Sequence, residues 1–249
     1  MNVVAYGGGT NSTALLIECV KRGIQVDLIL FADTAGEKPH TYKYIDMFSE
    51  WLASHNYPSI TKVKAESNSK INGLEAACLK SNSLPSIAYG FKSCSVGYKI
   101  EPADKYLKVN FQDEWKSGEI TKLIGFDAGE PQRAKPSPVD NYHNIYYLIE
   151  WDMGRDECVN SIKNAGLHLP GKSACFFCPS SKPSEVRELA SIYPELAKRA
   201  LAMESNADLT SIKGLGRNWA WKDLLATDDM FGDKSYIQTI EADCGCYDG

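Results

Sequence analysis

Three groups of residues in this chain have types and spacings that can do chemistry. Gly7-Gly8-Gly9-Thr10-Asn11-Ser12 follows a short apolar run at residues 2–6. Glycines let a backbone close on phosphate oxygens and take positive φ, and the start of a following helix offers unpaired N–H groups. Ser12 can cap that helix and donate a hydroxyl. No Gly-x-Gly-x-x-Gly and no Lys-containing phosphate loop follows the first strand, so on the glycines alone a plain strand-to-helix turn is the competing reading. Cys175-Phe176-Phe177-Cys178 has the two-residue spacing at which both sulfurs reach one metal ion or one cluster edge. His168, seven residues earlier, is an alternative zinc ligand. Cys244-Gly245-Cys246 pairs two thiols near the C-terminus, suited either to nucleophilic attack or to metal ligation.

These groups need elements to hold them. From Ser12, Leu15, Leu16, Cys19 and Val20 fall on one helical face, and Gly23 stands where a helix stops. Residues 26–32 form a near-continuous apolar run, as in a strand buried on both faces. A helix from Pro39, carrying Ile45, Phe48, Trp51 and Leu52, leads to a third strand at 60–65. Further strands are predicted at 120–126 and 145–149, with helices near 102–108, 155–165, 184–192 and 194–204. Polar stretches at 66–72 and 127–144 read as loops near the site. The alternation predicts an α/β fold with a doubly wound parallel sheet. Residues 1–150 form its nucleotide-binding core, and a mainly helical, cysteine-bearing region at 151–249 packs on the same domain. Cys19, Cys78 and Cys158 fall within helical patterns and read as small core residues.

With 249 residues, 43% of them hydrophobic, the chain is long enough for one large core. A formal charge of -5 offers no basic excess for a broad grip on nucleic acid, though it leaves room for a local basic patch. The N-terminal segment has no basic leader and no window reaches the length of a membrane span, so a soluble cytoplasmic protein without a membrane partner is predicted. Eight cysteines in a reducing compartment point to metal binding or catalysis rather than to disulfides.

The glycine loop resembles the Ser-Gly-Gly-x-Asp-Ser pyrophosphate loop of the PP-loop superfamily. Asp33-Thr34-Ala35-Gly36 with Pro39, Thr41 and Tyr42 resembles the Asp-Thr-Gly…Pro-Glu-Thr-Tyr segment of its phosphoadenosine phosphosulfate (PAPS) reductases. Cys94, Lys99 and Pro102 match a Cys-Cys-x-x-x-Lys-x-x-Pro segment, with Ser95 replacing its second cysteine, and Gly125…Glu130…Arg133 is similar to a Gly-x-Arg…Glu-Ser…Arg stretch. The blocks occur in family order over roughly the first 135 residues. Gly7, Asn11 and Asp127 depart from the pattern, which has Ser, Asp and Arg at these places.

The resemblance implies that Gly7, Gly8, Gly9, Thr10, Asn11 and Ser12 bind the phosphates of an adenine nucleotide, ATP or PAPS. Ala32, Asp33 and Thr34 would line the adenine and ribose pocket, and Lys99 and Arg133 would supply positive charge. It implies that Cys94 joins Cys175 and Cys178 in holding a 4Fe-4S cluster, with Cys244 or Cys246 as a fourth ligand; four thiolates would equally hold structural zinc. The tail thiols of Cys244 and Cys246 resemble a nucleophile that attacks bound sulfur, an external dithiol then acting as reductant. An ATP- and magnesium-dependent sulfur transfer to a nucleobase in tRNA or DNA, drawing on a sulfur donor, is the alternative enzyme. A nucleotide-binding module with structural zinc is the alternative without catalysis.

Overall fold

The computed structural model describes residues 1–65, 73–88 and 91–231. In chain order the elements are β1 (Asn2–Ala5), α1 (Thr10–Arg22), β2 (Leu28–Asp33), α2 (Pro39–Ser54), β3 (Ile60–Lys64), α3 (Gly73–Lys80) and the antiparallel pair β4 (Ile87–Ala88) and β5 (Phe91–Lys92). There follow α4 (Ser93–Ser95), a π-helical turn (Val96–Ile100), α5 (Glu101–Asn110), α6 (Gln112–Ser117), β6 (Ile120–Ile124), β7 (Tyr142–Ile145) and α7 (Tyr147–Glu150). The last third is helical, with α8 (Arg155–Asn164), α9 (Pro183–Ile192), α10 (Pro194–Asn206) and α11 (Trp221–Phe231).

The main sheet runs β3-β2-β1-β6-β7 and every pairing is parallel. Alternate residues of the central strands feed two cores. Val4, Ile29, Phe31 and Leu123 pack with Leu15, Leu16, Ile45, Phe48, Cys158 and Ile162 of α1, α2 and α8. Val3, Leu28, Leu30 and Ile120 pack with Leu107 of α5 on the opposite face. Helices therefore cover both faces, which is the α/β doubly wound arrangement that the sequence alternation implies. A third core joins α3, α9, α10 and α11 around Phe176, Phe177, Leu189, Met203 and Trp221.

The chain winds outward from β1 through β2 to β3, then returns to place β6 on the other side of β1. Strand order reverses at β1/β6, and the carboxyl ends of these two strands frame the crevice where such sheets take ligands.

The strand predicted at 145–149 is corrected by the structure. β7 is Tyr142–Ile145, Tyr146 leaves the extended region at φ -123 and ψ 65, and α7 follows. A short aromatic and aliphatic run does not distinguish a strand from a buried helical turn by periodicity. Cys244 and Cys246, and residues 66–72, lie outside the described residues. Among the described residues no helix is long and apolar enough to cross a membrane.

Candidate functional site

The loop after β1 is built from its own backbone. Gly9 caps α1 without a side chain, so the N–H groups of Thr10, Asn11 and Ser12 have no acceptor inside the helix. Gly8 takes φ +76, and a Cβ there would meet Thr41 Cγ2 at 3.2 Å and Ser173 Oγ at 3.3 Å. Ser12 Oγ accepts from Gly7 N–H at 3.2 Å and donates to the Gly9 carbonyl at 3.3 Å. Its hydroxyl is thus committed to shaping the loop rather than offered to a ligand. Thr13 Oγ1 also donates to Gly9 O, at 2.8 Å, and Ser173 Oγ donates to Gly7 O.

β6 reaches the same place. A Cβ on Gly125 would lie 2.9 Å from Ser12 N and 2.8 Å from Ser12 Cα, so the strand end and the first turn of α1 touch backbone to backbone. Beyond it, Asp127 Oδ2 accepts from Asn11 Nδ2 at 2.9 Å, and Arg155 Nη1 donates to Asn11 Oδ1 at 3.0 Å. Two of the departures from the family pattern, Asn11 and Asp127, are therefore bonded to each other.

Beside this loop a cavity of about 260 Å³ runs across the sheet face. Ala5, Gly7, Ala32, Ile124 and Phe126 line it together with Lys99, Lys122, Arg133 and Lys135. Among the described residues four cations and no carboxylate line it, in a chain whose net charge is -5. Arg133 pairs with Glu130 at 2.7 Å and lies over the Phe126 ring at 4.0 Å, while Phe126 stacks on Tyr146 at 5.5 Å. Lys122 pairs with Asp104 and sits 3.4 Å above the Tyr142 ring; burial pulls its pKa down even though Asp104 opposes the shift.

Of Ala32, Asp33 and Thr34, Ala32 lines this cavity. Asp33 is turned inward, accepting from Ala35 N–H at 2.8 Å and Tyr42 Oη–H at 2.7 Å and pairing with Lys64 at 3.3 Å. Thr34 faces the cysteine turn, with its Oγ1 3.0 Å from Cys175 Sγ.

That turn closes through a Cys178 N–H to Cys175 carbonyl bond of 3.0 Å and is seated on the β2–α2 connection. Phe176 N–H donates to Gly36 O at 2.8 Å, and Phe177 fills the space a side chain at 36 would need. Burial, then the Glu37 charge, pushes the Cys175 thiol up, and nearby Lys99 only partly offsets this. Cys94 packs on the same apolar core as Cys175. Among the described residues no group of three or more His, Cys, Asp or Glu side chains is disposed to hold a metal. Cys94, Cys175 and Cys178 form no such group, and Cys246, the fourth expected ligand, lies outside the described residues. His168 instead packs edge-on against Tyr44, ring centroids 5.1 Å apart.

Arg155, Lys122, Lys135 and Ser173 escaped the sequence reading. Lys122 lies on β6 and Lys135 in the β6–β7 connection, whereas Arg155 and Ser173 reach the glycine loop from beyond the last named strand.

No family model matches the chain, and no curated protein matches it. A crystal structure of phosphoadenylyl-sulfate (PAPS) reductase from Candida auris, in a phosphate complex, is similar at 18% identity, over 68% of this chain and 73% of that chain, with a TM-score of 0.43. That likeness is weak, and the α/β architecture rests on the sheet itself.

Proposed function

We propose that this protein is a PAPS-reductase-like enzyme that binds an adenine nucleotide across the β1/β6 crevice and carries out thiol or sulfur-transfer chemistry. The observation that carries the reading is the cavity, which among the described residues is lined by four cations and no carboxylate and which meets the glycine loop at Gly7. Apolar strand residues suit a flat base, and the loop donors with Lys99 and Arg133 suit its phosphates and the negative charge that builds at a leaving oxygen.

The nucleophile belongs to the tail. Burial and Glu37 hold Cys175 as a neutral thiol, which is a poor attacking group. A thiolate of Cys244 or Cys246 attacks the sulfur of a sulfonucleotide, the bond from that sulfur to the nucleotide phosphate oxygen breaks, and a cysteine thiosulfonate forms. An external dithiol then attacks the cysteine sulfur and becomes a disulfide, releasing sulfite. An iron-sulfur or zinc centre on Cys94, Cys175, Cys178 and Cys246 is a proposal carried by the cysteine pattern alone, and no step runs through it.

The test is calorimetric titration with PAPS and with ATP, with and without magnesium, alongside assays for sulfite and for AMP. Binding of PAPS with dithiol-dependent sulfite release, lost in Cys244→Ser or Cys246→Ser, is expected. AMP formation from ATP would instead favour the ATP-dependent sulfurtransferase. Binding without product would make the chain a nucleotide-binding module, and absence of binding would sink the nucleotide reading.

A further inference from the structure

We infer that Asn11, Asp127 and Arg155 act as one positioning unit that sets the aim and the local charge of the phosphate loop. The inference rests on the nucleotide-binding reading above and concerns residues on three separate elements. Asn11 is the second residue of α1, Asp127 follows the end of β6, and Arg155 opens α8.

The bonding pattern dictates the residue types. Asn11 donates to the Asp127 carboxylate at 2.9 Å through Nδ2 and accepts from Arg155 at 3.0 Å through Oδ1. Among side chains of this length only an amide does both at once. An aspartate at 11 would still accept from Arg155 but would set a second carboxylate against Asp127, and like charges so close disfavour one another. The other Asp127 oxygen accepts from Gly129 N–H at 2.9 Å, while Ala128 N–H is tied to Met153 O at 2.8 Å, so the carboxylate itself is held from behind. Asn11 and Asp127 are only 5% and 7% exposed, which strengthens each of these bonds relative to the same bond in water.

The consequence reaches the ligand through the backbone. The N–H of Asn11 is one of the three first-turn donors of α1, and a side chain pinned on both sides fixes the direction of that donor. A phosphate arriving there meets a neutral amide, with the Asp127 carboxylate set back on the β6 side and Arg155 bonded to the other face of the amide. Charge and geometry at the loop are thereby decided jointly by positions 11 and 127.

A double-mutant cycle tests this, with ADP affinity and thermal midpoint measured for the wild type, Asn11→Asp, Asp127→Asn, the double exchange and Arg155→Gln. Asn11→Asp is expected to weaken ADP about tenfold or more, and Arg155→Gln to weaken it by a smaller factor. The double exchange, which swaps amide and carboxylate and still gives Arg155 an acceptor, is expected to return affinity to within about threefold of wild type. Additive losses in the double exchange would overturn the unit. So would coupling seen in the thermal midpoint but absent from ADP affinity, since that pattern belongs to a purely structural contact. A wild type that binds neither ADP nor PAPS overturns the nucleotide reading itself, an outcome distinct from either.

Discussion

A thiol reacts as its thiolate, so the surroundings of each sulfur sort this chain's cysteines. Burial pushes Cys19 and Cys158 up to about 12 and Cys78 to about 11, and it raises Cys175 as well. At pH 8 all four remain protonated in the folded protein. Iodoacetamide treatment followed by peptide mass spectrometry is expected to leave them unmodified in the native state and to modify all of them in guanidinium; rapid native labelling of Cys175 would refute its assignment as a neutral thiol. The sequence discloses part of this residue-scale picture. Cys19, Cys78 and Cys158 are legible as core because helical spacing alone puts them inward, and the glycine turn is legible as a strand-to-helix connection because three glycines stand between an apolar run and a helical pattern. Arg155 is not legible, since its partner lies 144 positions away. Nor does the sequence tell that the Ser12 hydroxyl turns inward, which depends on the path of the loop rather than on residue type.

Between elements, the seam of α1 and α8 shows how the cysteine-bearing third is fastened to the sheet. Glu18 of α1 accepts from Ser161 of α8 at 2.6 Å and from Lys21 and Arg22 at 2.8 and 3.3 Å. Burial alone would raise its pKa, but the bonds from Lys21, Ser161 and Arg22 outweigh burial and leave it below the ordinary 4.5. A carboxyl lowered in the folded state contributes stability that is present above pH 4.5 and is lost as pH falls through the folded value. Glu18→Gln should therefore cost about 1–3 kcal/mol at pH 7, measured by urea unfolding, with the gap to wild type closing toward pH 3. An equal gap at both pH values would show that the charge plays no part. Strands β1, β2, β3 and β6 and helices α1, α2, α5, α8, α9 and α10 are readable from apolar period and from Pro or Gly punctuation. α7 is not, because Tyr147, Leu148 and Ile149 suit a strand by composition while the backbone break at Tyr146 is set by packing.

At the scale of the whole molecule, the first 150 residues contain every strand found among the described residues and yet do not contain a closed core. Met153, Cys158 and Ile162 complete the cluster around Leu15 and Phe48, and Ser173 reaches back to hold Gly7. A fragment of residues 1–150 is expected to lack cooperative thermal unfolding and to be cut rapidly by protease, whereas a fragment as resistant as the full chain would show two independent units. The parallel, doubly wound character of the sheet was open to sequence reasoning through strand and helix alternation; the division of the helical third between two cores was not, because α8 and α9 carry similar apolar faces and only their packing partners differ. The contact between Gly125 and the first turn of α1 has a last consequence, for how this chain can vary. Because backbone atoms rather than a movable side chain fill the space beyond its Cα, position 125 has an alphabet of one letter. A saturation library at that codon, sorted for nucleotide binding, would return glycine alone, while the same library at Gly23, where a Cβ meets nothing within 4 Å, would return survivors of several kinds, asparagine foremost given its φ of +65.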